Sequence, residues 1–334
     1  MNVRKQIRCS AGIGILAALS LLAAMAFAPQ PSAAGSLSTS VIGMFPKEVG
    51  EFAYADLKTA RKIPWFNALK EQLLPSHFRD FEKFLASTGV DPSTQVDELA
   101  WGAISATKTS GEEMVGVALG SFNPSSAEDR FKSQKLPMND YHGYHMYAFG
   151  SGSGANDILF MFIDSNTAAF GSRSALQKLV DVRTGMTESL LSNDFIFPLI
   201  NESNGNGVVW GVLDKGYAHL AMQQLLPEAS QFAQAAPIMG RIKGMTIYVE
   251  ADSGIDAHFS AVCGTTDDAN LLAAGMQGAL MMRRYQEAQG HPDLAGALDH
   301  VLVAPSGDRL KIELPVTQDQ LQSIIKSRAL ATTM

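Results

Sequence analysis

The stretch GMTIYVEADSGIDAHFSAVCG, residues 244–264, decides the fold. Apolar and polar residues alternate along 245–250 and again along 255–262, on either side of Ser253 and Gly254. Alternation with a period of two is typical of a strand with one buried face, and a Ser-Gly pair between two such runs is typical of a tight turn. The stretch therefore predicts an antiparallel hairpin that is packed on one side.

The hairpin belongs to an order of elements that occurs twice. Residues 50–200 and 208–330 each read as β–α–β–β–α–β–β–α, and the turn-rich segment NESNGNG at 201–207 separates them. The tetrapeptide QLLP, at 72–75 and 224–227, falls in the first helical region of each half. One such match is expected by chance, so the shared order carries the argument.

These patterns predict an α+β fold made of two similar halves of antiparallel sheet with covering helices, the product of an internal duplication. They leave open whether the two sheets join edge to edge or pack as separate lobes.

The N-terminus has the composition of an export signal. Basic residues within 4–8 precede an uninterrupted apolar run at 11–28, and small residues at 32–34 suit a cleavage site. We therefore predict a signal peptide at 1–34, an N-terminal linker at 35–49, and a periplasmic or secreted mature protein. The alternative is an uncleaved N-terminal anchor, because the apolar run is at the lower edge of spanning length. Membrane association is expected only in that alternative.

Charge and cysteine content narrow the possible partners. Loss of residues 1–34 leaves 23 Lys and Arg against 33 Asp and Glu, a net charge near −10. Such a surface argues against nucleic acid as a partner, since nucleic-acid affinity rests on clustered Lys and Arg. Cys263 is then the sole cysteine, so no intramolecular disulfide is expected. Its apolar strand neighbours predict a buried, inert thiol.

Five stretches carry a resemblance to a known family. They are FAYADL at 52–57, VDELAWGAIS at 96–105, YHGYHMY at 141–147, FIDSNTAAFGS at 162–172 and SLLSNDF at 189–195. Over roughly 52–316 the chain resembles a family of duplicated, exported bacterial proteins classed as a domain of unknown function. The resemblance implies the duplicated fold and an extracytoplasmic location. It implies no mechanism, because that family has no established activity.

Three short motifs resemble chemical sites, but their context favours structural roles. In YHGYHMY, His142 and His145 point to opposite faces if 141–149 is one strand, so they cannot share a metal ion. GSGSGAND at 150–157 lacks the Lys-Ser/Thr pair and the following helix of a phosphate loop. The S-x-x-K match at 323–326 lies in a final helix, an unsuitable place for a nucleophile. We predict no catalytic, metal-binding or cofactor-binding residues and no cofactor.

Two apolar stretches are candidates for binding. They are IPWFNALKEQLLPSHFRDFEKFL at 63–85 and LLAAGMQGALMMRRY at 271–285. Both could simply be helices that cover a sheet. The second is apolar nearly all round, which favours a role at the contact between the halves or in a groove. The residues predicted to line an apolar groove are Trp65, Phe66, Met276, Met281, Met282 and Tyr285.

These observations favour an exported, non-catalytic protein of the bacterial cell envelope that binds a partner protein or an apolar ligand. The alternative is an extracytoplasmic hydrolase whose site is assembled between the two halves. A deep cleft lined by polar residues from both halves would favour the enzyme, whereas an apolar groove would favour binding.

Overall fold

The structure, a computed structural model, describes residues 35–63, 66–104, 113–154, 157–225, 240–251 and 254–327. The predicted signal peptide at 1–34 lies outside these ranges. No helix within them is both long enough and apolar enough to cross a bilayer.

The described chain forms one antiparallel sheet of twelve strands, in the order β11-β12-β10-β9-β8-β1-β2-β3-β7-β6-β5-β4. The strands are β1 (Val49–Asp56), β2 (Val96–Ile104), β3 (Glu113–Gly120), β4 (Met138–Tyr141), β5 (Tyr144–Phe149), β6 (Ile158–Phe162), β7 (Thr167–Gly171), β8 (Val209–Asp214), β9 (Gly244–Glu250), β10 (Gly254–Val262), β11 (Leu302–Ser306) and β12 (Arg309–Thr317).

Helices cover both faces of this sheet. They are α1 (Thr39–Ile42), α2 (Leu57–Ala60), α3 (Phe66–Leu73), α4 (Ser76–Ser87), α5 (Pro92–Gln95), α6 (Pro124–Ser133), α7 (Arg173–Arg183), α8 (Ile196–Ser203), α9 (Lys215–Leu225), α10 (Thr266–Gly290), α11 (Pro292–Leu298) and α12 (Gln318–Ser327). A short 3-10 turn, Leu190–Ser192, precedes α8.

The hairpin with which the sequence analysis began is β9 and β10. The two strands pair in antiparallel register, with Val262 opposite Gly244 and Ala257 opposite Val249. Alternate residues of β10, including Ile255, Ala257 and Phe259, are buried under helices, while the residues between them are partly exposed. The prediction of an α+β fold with antiparallel sheet and covering helices is confirmed.

The two halves share one strand order. The order β1-β2-β3-β7-β6 in the first half corresponds to β8-β9-β10-β12-β11 in the second, and the first half adds β5 and β4 at its outer edge. The two sheets are continuous, because β1 pairs with β8 from Glu51 opposite Leu213 to Ala55 opposite Val209. The sequence left open whether the two sheets join or pack as separate lobes, and the structure shows that they join edge to edge.

The sheet has two faces with separate cores. On one, which we call the reverse face, α1, α7 and α8 pack over the centre of the sheet. Trp210 lies at the β1–β8 join on this face, stacked on Tyr54 at 5.5 Å and 5.8 Å from Phe52, measured between ring centroids. On the opposite face, the helical face, α2 to α6 and α9 to α12 pack in two apolar clusters.

The last helices of the two halves, α7 and α12, lie on opposite faces of the sheet. Leu176 and Leu179 of α7 are buried in the reverse-face core, whereas Leu321 and Ile324 of α12 are buried in a helical-face cluster. The halves therefore agree in their strands and differ in how their final helices are placed.

Residues 35–49, predicted as a linker, fold against the sheet. Leu37, Ile42 and Phe45 are buried in the reverse-face core, and the Asn204 side chain is hydrogen-bonded to the backbone of Leu37 at both its amide and its carbonyl. Short apolar segments without a long periodic pattern give too little signal to be recognised as part of a core.

The prediction of a single strand over 141–149 is wrong. Tyr141 pairs with Tyr144 in a hairpin, and the turn between them has φ values of 50° at His142 and 82° at Gly143. Two consecutive residues with positive φ give the turn that matches the twist of a two-residue hairpin. That prediction placed Gly143 inside a continuous strand and so missed the turn.

Candidate functional site

A cavity of about 440 Å³ lies on the helical face of the first half, between the sheet and the helices α2 to α5. This volume is within the range of ligand pockets in proteins. Its walls are mainly apolar, and every described residue that lines it belongs to the first half. The cavity therefore does not lie between the two halves, where a site for the alternative hydrolase was predicted.

The floor of the cavity is made of small strand residues. Ala55 on β1, Ala118 on β3 and Ala168 on β7 all line it, and Ala118 pairs directly with Ala168 across β3 and β7. Beside this floor, the Phe170 ring lies directly over Gly116, where a Cβ atom would be 2.3 Å from Cζ of that ring. Small side chains leave space between sheet and helix that leucine or valine would fill.

The roof is the aromatic face of α4. Phe78, Phe81 and Phe84 are spaced by three residues and so lie on one side of the helix. The buried Phe81 ring lies 5.8 Å from Phe160 and 6.1 Å from Phe170, between centroids, so α4 meets the sheet through ring edges and faces. Long side chains on the helix above small ones on the sheet hold the two layers apart.

The cavity lies where the helical-face core is divided. Phe66 and Trp101 belong to the apolar cluster that continues into the second half. Phe81, Phe122 and Phe160 belong to the outer cluster of the first half. All five line the cavity, which is therefore a gap between two well-packed regions. Trp101 itself is buried, with only 6% of its surface exposed.

Paired charges surround the mouth. The guanidinium of Arg61 donates to the carbonyl oxygens of Ser93 at 2.8 Å and Val96 at 2.6 Å, and to Oδ1 of Asp97 at 2.9 Å. Nζ of Lys70 on α3 lies 2.7 Å from Oε1 of Glu82 on α4, so an ion pair ties the two roof helices together. Each basic side chain that lines the described cavity thus has an acidic partner.

Asp91 adds a second carboxylate near Lys70. The hydrogen bond from the Ser93 hydroxyl is the main cause that lowers the pKa of Asp91, and burial opposes it. The Ser93 backbone amide, the Thr94 hydroxyl and the charge of Lys70 add smaller effects that also lower this pKa. The carboxylate caps α5, and it is ionised at neutral pH.

The predicted groove residues are not brought together. Phe66 lines the cavity, and Trp65 lies outside the described residues. Met276 is 5% exposed and belongs to the core under α10. Met281 and Tyr285 are 71% and 76% exposed at a separate surface depression between α10 and α11, and Met282 on the same helix is exposed as well.

The reason for this separation is the length of α10. Its core-facing residues end at Ala279, but the helix continues to Gly290. The segment beyond the core packs against α11, so its methionines lie on the surface of the second half. An apolar pattern shows that a helix face is apolar, but it does not show where the sheet beneath that face ends.

Strand residues supply the floor and one wall of the cavity, and the sequence reading did not single them out. ILFMF at 158–162 and TAAFG at 167–171 were read only as strands, yet Phe160, Phe162 and Phe170 form one wall. The available signal was the period of two in these strands, which places Phe160 with Phe162, and Ala168 with Phe170, on one face.

The side chains that could ligate a metal, and the thiol of Cys263, form no candidate reactive site among the described residues. Within the described residues, no three His, Cys, Asp or Glu side chains converge as a metal site would require. Cys263 is 1% exposed, and burial raises the pKa of its thiol, which disfavours the reactive thiolate.

The comparisons with known proteins do not assign a function to this chain. No protein-family model matches the chain, and no curated protein matches it. Two crystal structures of TP0453 are similar in chain trace, each with a TM-score of 0.48. Crystal form I is 13% identical and covers 91% of this chain and 100% of that chain. Crystal form III is 12% identical and covers 86% of this chain and 97% of that chain. Similarity at this level carries no argument about function, and the resemblance to an exported family stays a prediction.

Proposed function

We propose that this protein is an exported, non-catalytic binding protein of the bacterial cell envelope and that it holds an apolar ligand in the cavity beneath α3 and α4. The observation that carries the proposal is the cavity itself, a space of about 440 Å³ with aromatic walls and an alanine floor. Binding sites for small molecules are concave and largely apolar, with few polar groups. The charged groups at the mouth are engaged in structural ion pairs, which leaves no converging acid and base.

Export is supported by the sequence of 1–34, a basic start followed by an apolar run and small residues. N-terminal sequencing of the protein from its host tests this part of the proposal. We expect the mature chain to begin at Gly35 and to be released by osmotic shock. An intact Met1 in the membrane fraction would show that the N-terminal segment is an anchor instead.

Ligand binding is tested with Nile red, an uncharged dye whose emission rises in apolar surroundings. The purified protein should bind the dye at a single site. The variant Ala168→Leu puts a larger side chain into the cavity floor and should weaken binding at least about tenfold, or 1.4 kcal/mol. Ala86→Leu is the matched control, because Ala86 is exposed on α4 and does not line the cavity.

The outcome for Ala168→Leu decides the location of the site. If that variant binds the dye as the parent protein does, the cavity is not the binding site. A protein that retains its host ligand in native mass spectrometry, and loses it in Ala168→Leu but not in Ala86→Leu, would identify the natural occupant.

A further inference from the structure

We propose that the cavity selects an electrically neutral long-chain amphiphile, such as an alcohol or an ester, over an anionic amphiphile of the same chain length. This inference rests on the proposed function, since it concerns the ligand of the same site. It depends on the charges at the mouth rather than on the apolar walls.

The charge of the guanidinium at the mouth is already paired. Arg61 makes three hydrogen bonds that join α2 to α5 and to the start of β2, and two of them go to backbone carbonyl oxygens. Its side chain is 25% exposed, so it is held against the protein. These bonds use three of the five guanidinium N–H donors, and an added carboxylate or phosphate would have to share the cation with Asp97.

The ammonium group at the mouth is also neutralised. Lys70 is 2.7 Å from Glu82, and both side chains are about one-third exposed or less. Asp91 also interacts with this ammonium group at longer range. An added anion would therefore meet a cation that Glu82 already neutralises, and the Glu82 carboxylate would repel it in partly desolvated surroundings.

Asn67 and Trp101 are uncharged polar side chains that also line the cavity, and the buried Nε1–H of Trp101 has no hydrogen-bond partner among the described residues. Asn67 on α3 lines the cavity and presents an amide that can both donate and accept a hydrogen bond. A hydroxyl or ester can use such a group without displacing an ion pair. The whole chain has a net charge of −7, which further disfavours anions at long range.

The apolar walls account for the chain of the ligand. Phenylalanine rings and alanine methyl groups offer dispersion contact without specific hydrogen bonds, so affinity should follow the amount of hydrocarbon buried. Each methylene group added to a short chain should raise affinity by about fourfold, until the cavity is full.

The test is competition against bound Nile red with two probes of equal chain length, decanol and decanoate, at about pH 8, where the carboxylate is ionised. We expect decanol to displace the dye at a concentration at least about tenfold lower than decanoate. The variant Glu82→Gln frees Lys70 from its nearest partner. It should raise the affinity for decanoate at least about fivefold relative to the affinity for decanol, measured on the same variant.

Glu71→Gln is the control, because it removes one negative charge from the exposed side of α3 and does not touch the cavity. It should leave both affinities unchanged. Equal or tighter binding of decanoate to the parent protein would overturn the inference, as would an unchanged decanoate affinity in Glu82→Gln. Failure of both probes against a bound dye would also overturn it. Failure of Nile red to bind at all would instead overturn the proposed function, so the two results are distinguishable.

Discussion

At the scale of single residues, the cavity depends on the size of a few side chains. The alanines at positions 118 and 168 face each other across two strands, and both line the cavity. A protein that only needed a stable core would gain by filling this space, since buried gaps forfeit dispersion contacts. Small residues at these positions are therefore better explained by an occupant than by packing.

This explanation predicts an unusual effect on stability. Ala168→Leu should increase the free energy of unfolding of the ligand-free protein by about 0.5–2 kcal/mol, because the leucine fills existing space. Urea denaturation of the parent and the variant measures the difference. A variant that gains stability while losing dye binding would show that the space serves binding, whereas a loss of stability would mean that the cavity cannot accept a leucine.

A second residue-scale feature is the pair formed by Tyr54 and Glu98. The Tyr54 hydroxyl donates to Oε2 of Glu98 at 3.1 Å. Burial raises the pKa of Glu98, the Tyr54 hydrogen bond opposes this shift, and the negative charges of Asp56 and Asp97 add to it. The folded protein therefore holds a proton on Glu98 at a higher pH than the unfolded chain does.

The sign of the pH effect follows from that direction. A raised carboxyl pKa means that the folded state binds more protons than the unfolded state just above about pH 4.3, so stability contributed by this group is lost as pH rises through its folded pKa. Glu98→Gln keeps an acceptor for Tyr54 and removes the charge. We expect the variant to be at least as stable as the parent at neutral pH. The difference in stability between the two should shrink as the pH falls. Thermal unfolding from acid to neutral pH measures this, and a variant less stable than the parent at neutral pH would contradict it.

At the scale of elements, α10 shows two different environments along one helix. Met276 faces the sheet and is 5% exposed, whereas Met281, five residues later, is 71% exposed. The sequence alone predicted both as lining residues of one groove. The structure assigns the first to the core and the second to the surface.

The two methionines therefore make a matched pair. Met276→Asp places an unpaired charge in the core and should destabilise the protein by several kcal/mol, about 4 or more. Met281→Asp should change stability by no more than about 0.5 kcal/mol. Differential scanning calorimetry distinguishes these outcomes. If Met281→Asp unfolds the protein, its surface is covered by structure outside the described residues.

Elements with a strong periodic pattern could be predicted from the sequence, and weakly patterned ones could not. The β9–β10 hairpin and α10 are long and regular, so their positions followed from alternation and from helical content. The segment at 39–42 and the turn at His142 depend on tertiary packing and on backbone angles, which a residue pattern does not record. The candidate stretch 63–85 supplies the roof of the cavity, but its sheet side was not foreseen, because the cavity arises where two layers face each other.

At the scale of the whole molecule, the central feature is the join between β1 and β8. The residue pattern of a strand does not show which strand of the other half it pairs with, so the continuity of the sheet could not be predicted. Once joined, the two strands share a reverse-face core that contains Phe52, Tyr54 and Trp210. Neither half can complete this core by itself.

The protein should therefore unfold in one step. Denaturation followed by Trp fluorescence, to which the buried Trp210 contributes, and by far-UV circular dichroism should give coincident transitions. Residues 35–203 and 204–334, produced separately, should each fail to form a soluble folded domain, because each would expose one central strand as an edge. Co-production should restore the fold. Two separate transitions, or a half that folds alone, would show that the halves are independent domains.

The same join also has a consequence for the time course of folding. Ala55 acquires its partner in β2 soon after synthesis, but its partner on the other side, Val209, follows only after the whole first half. Contacts between residues so far apart along the chain slow folding. A long loop must close, at a cost in chain entropy, before the strands can pair. The chain therefore stays open for longer than one whose central strands are neighbours in sequence. Under the export that we propose, this delay would lengthen the interval in which translocation can take place before folding makes the chain too compact to pass.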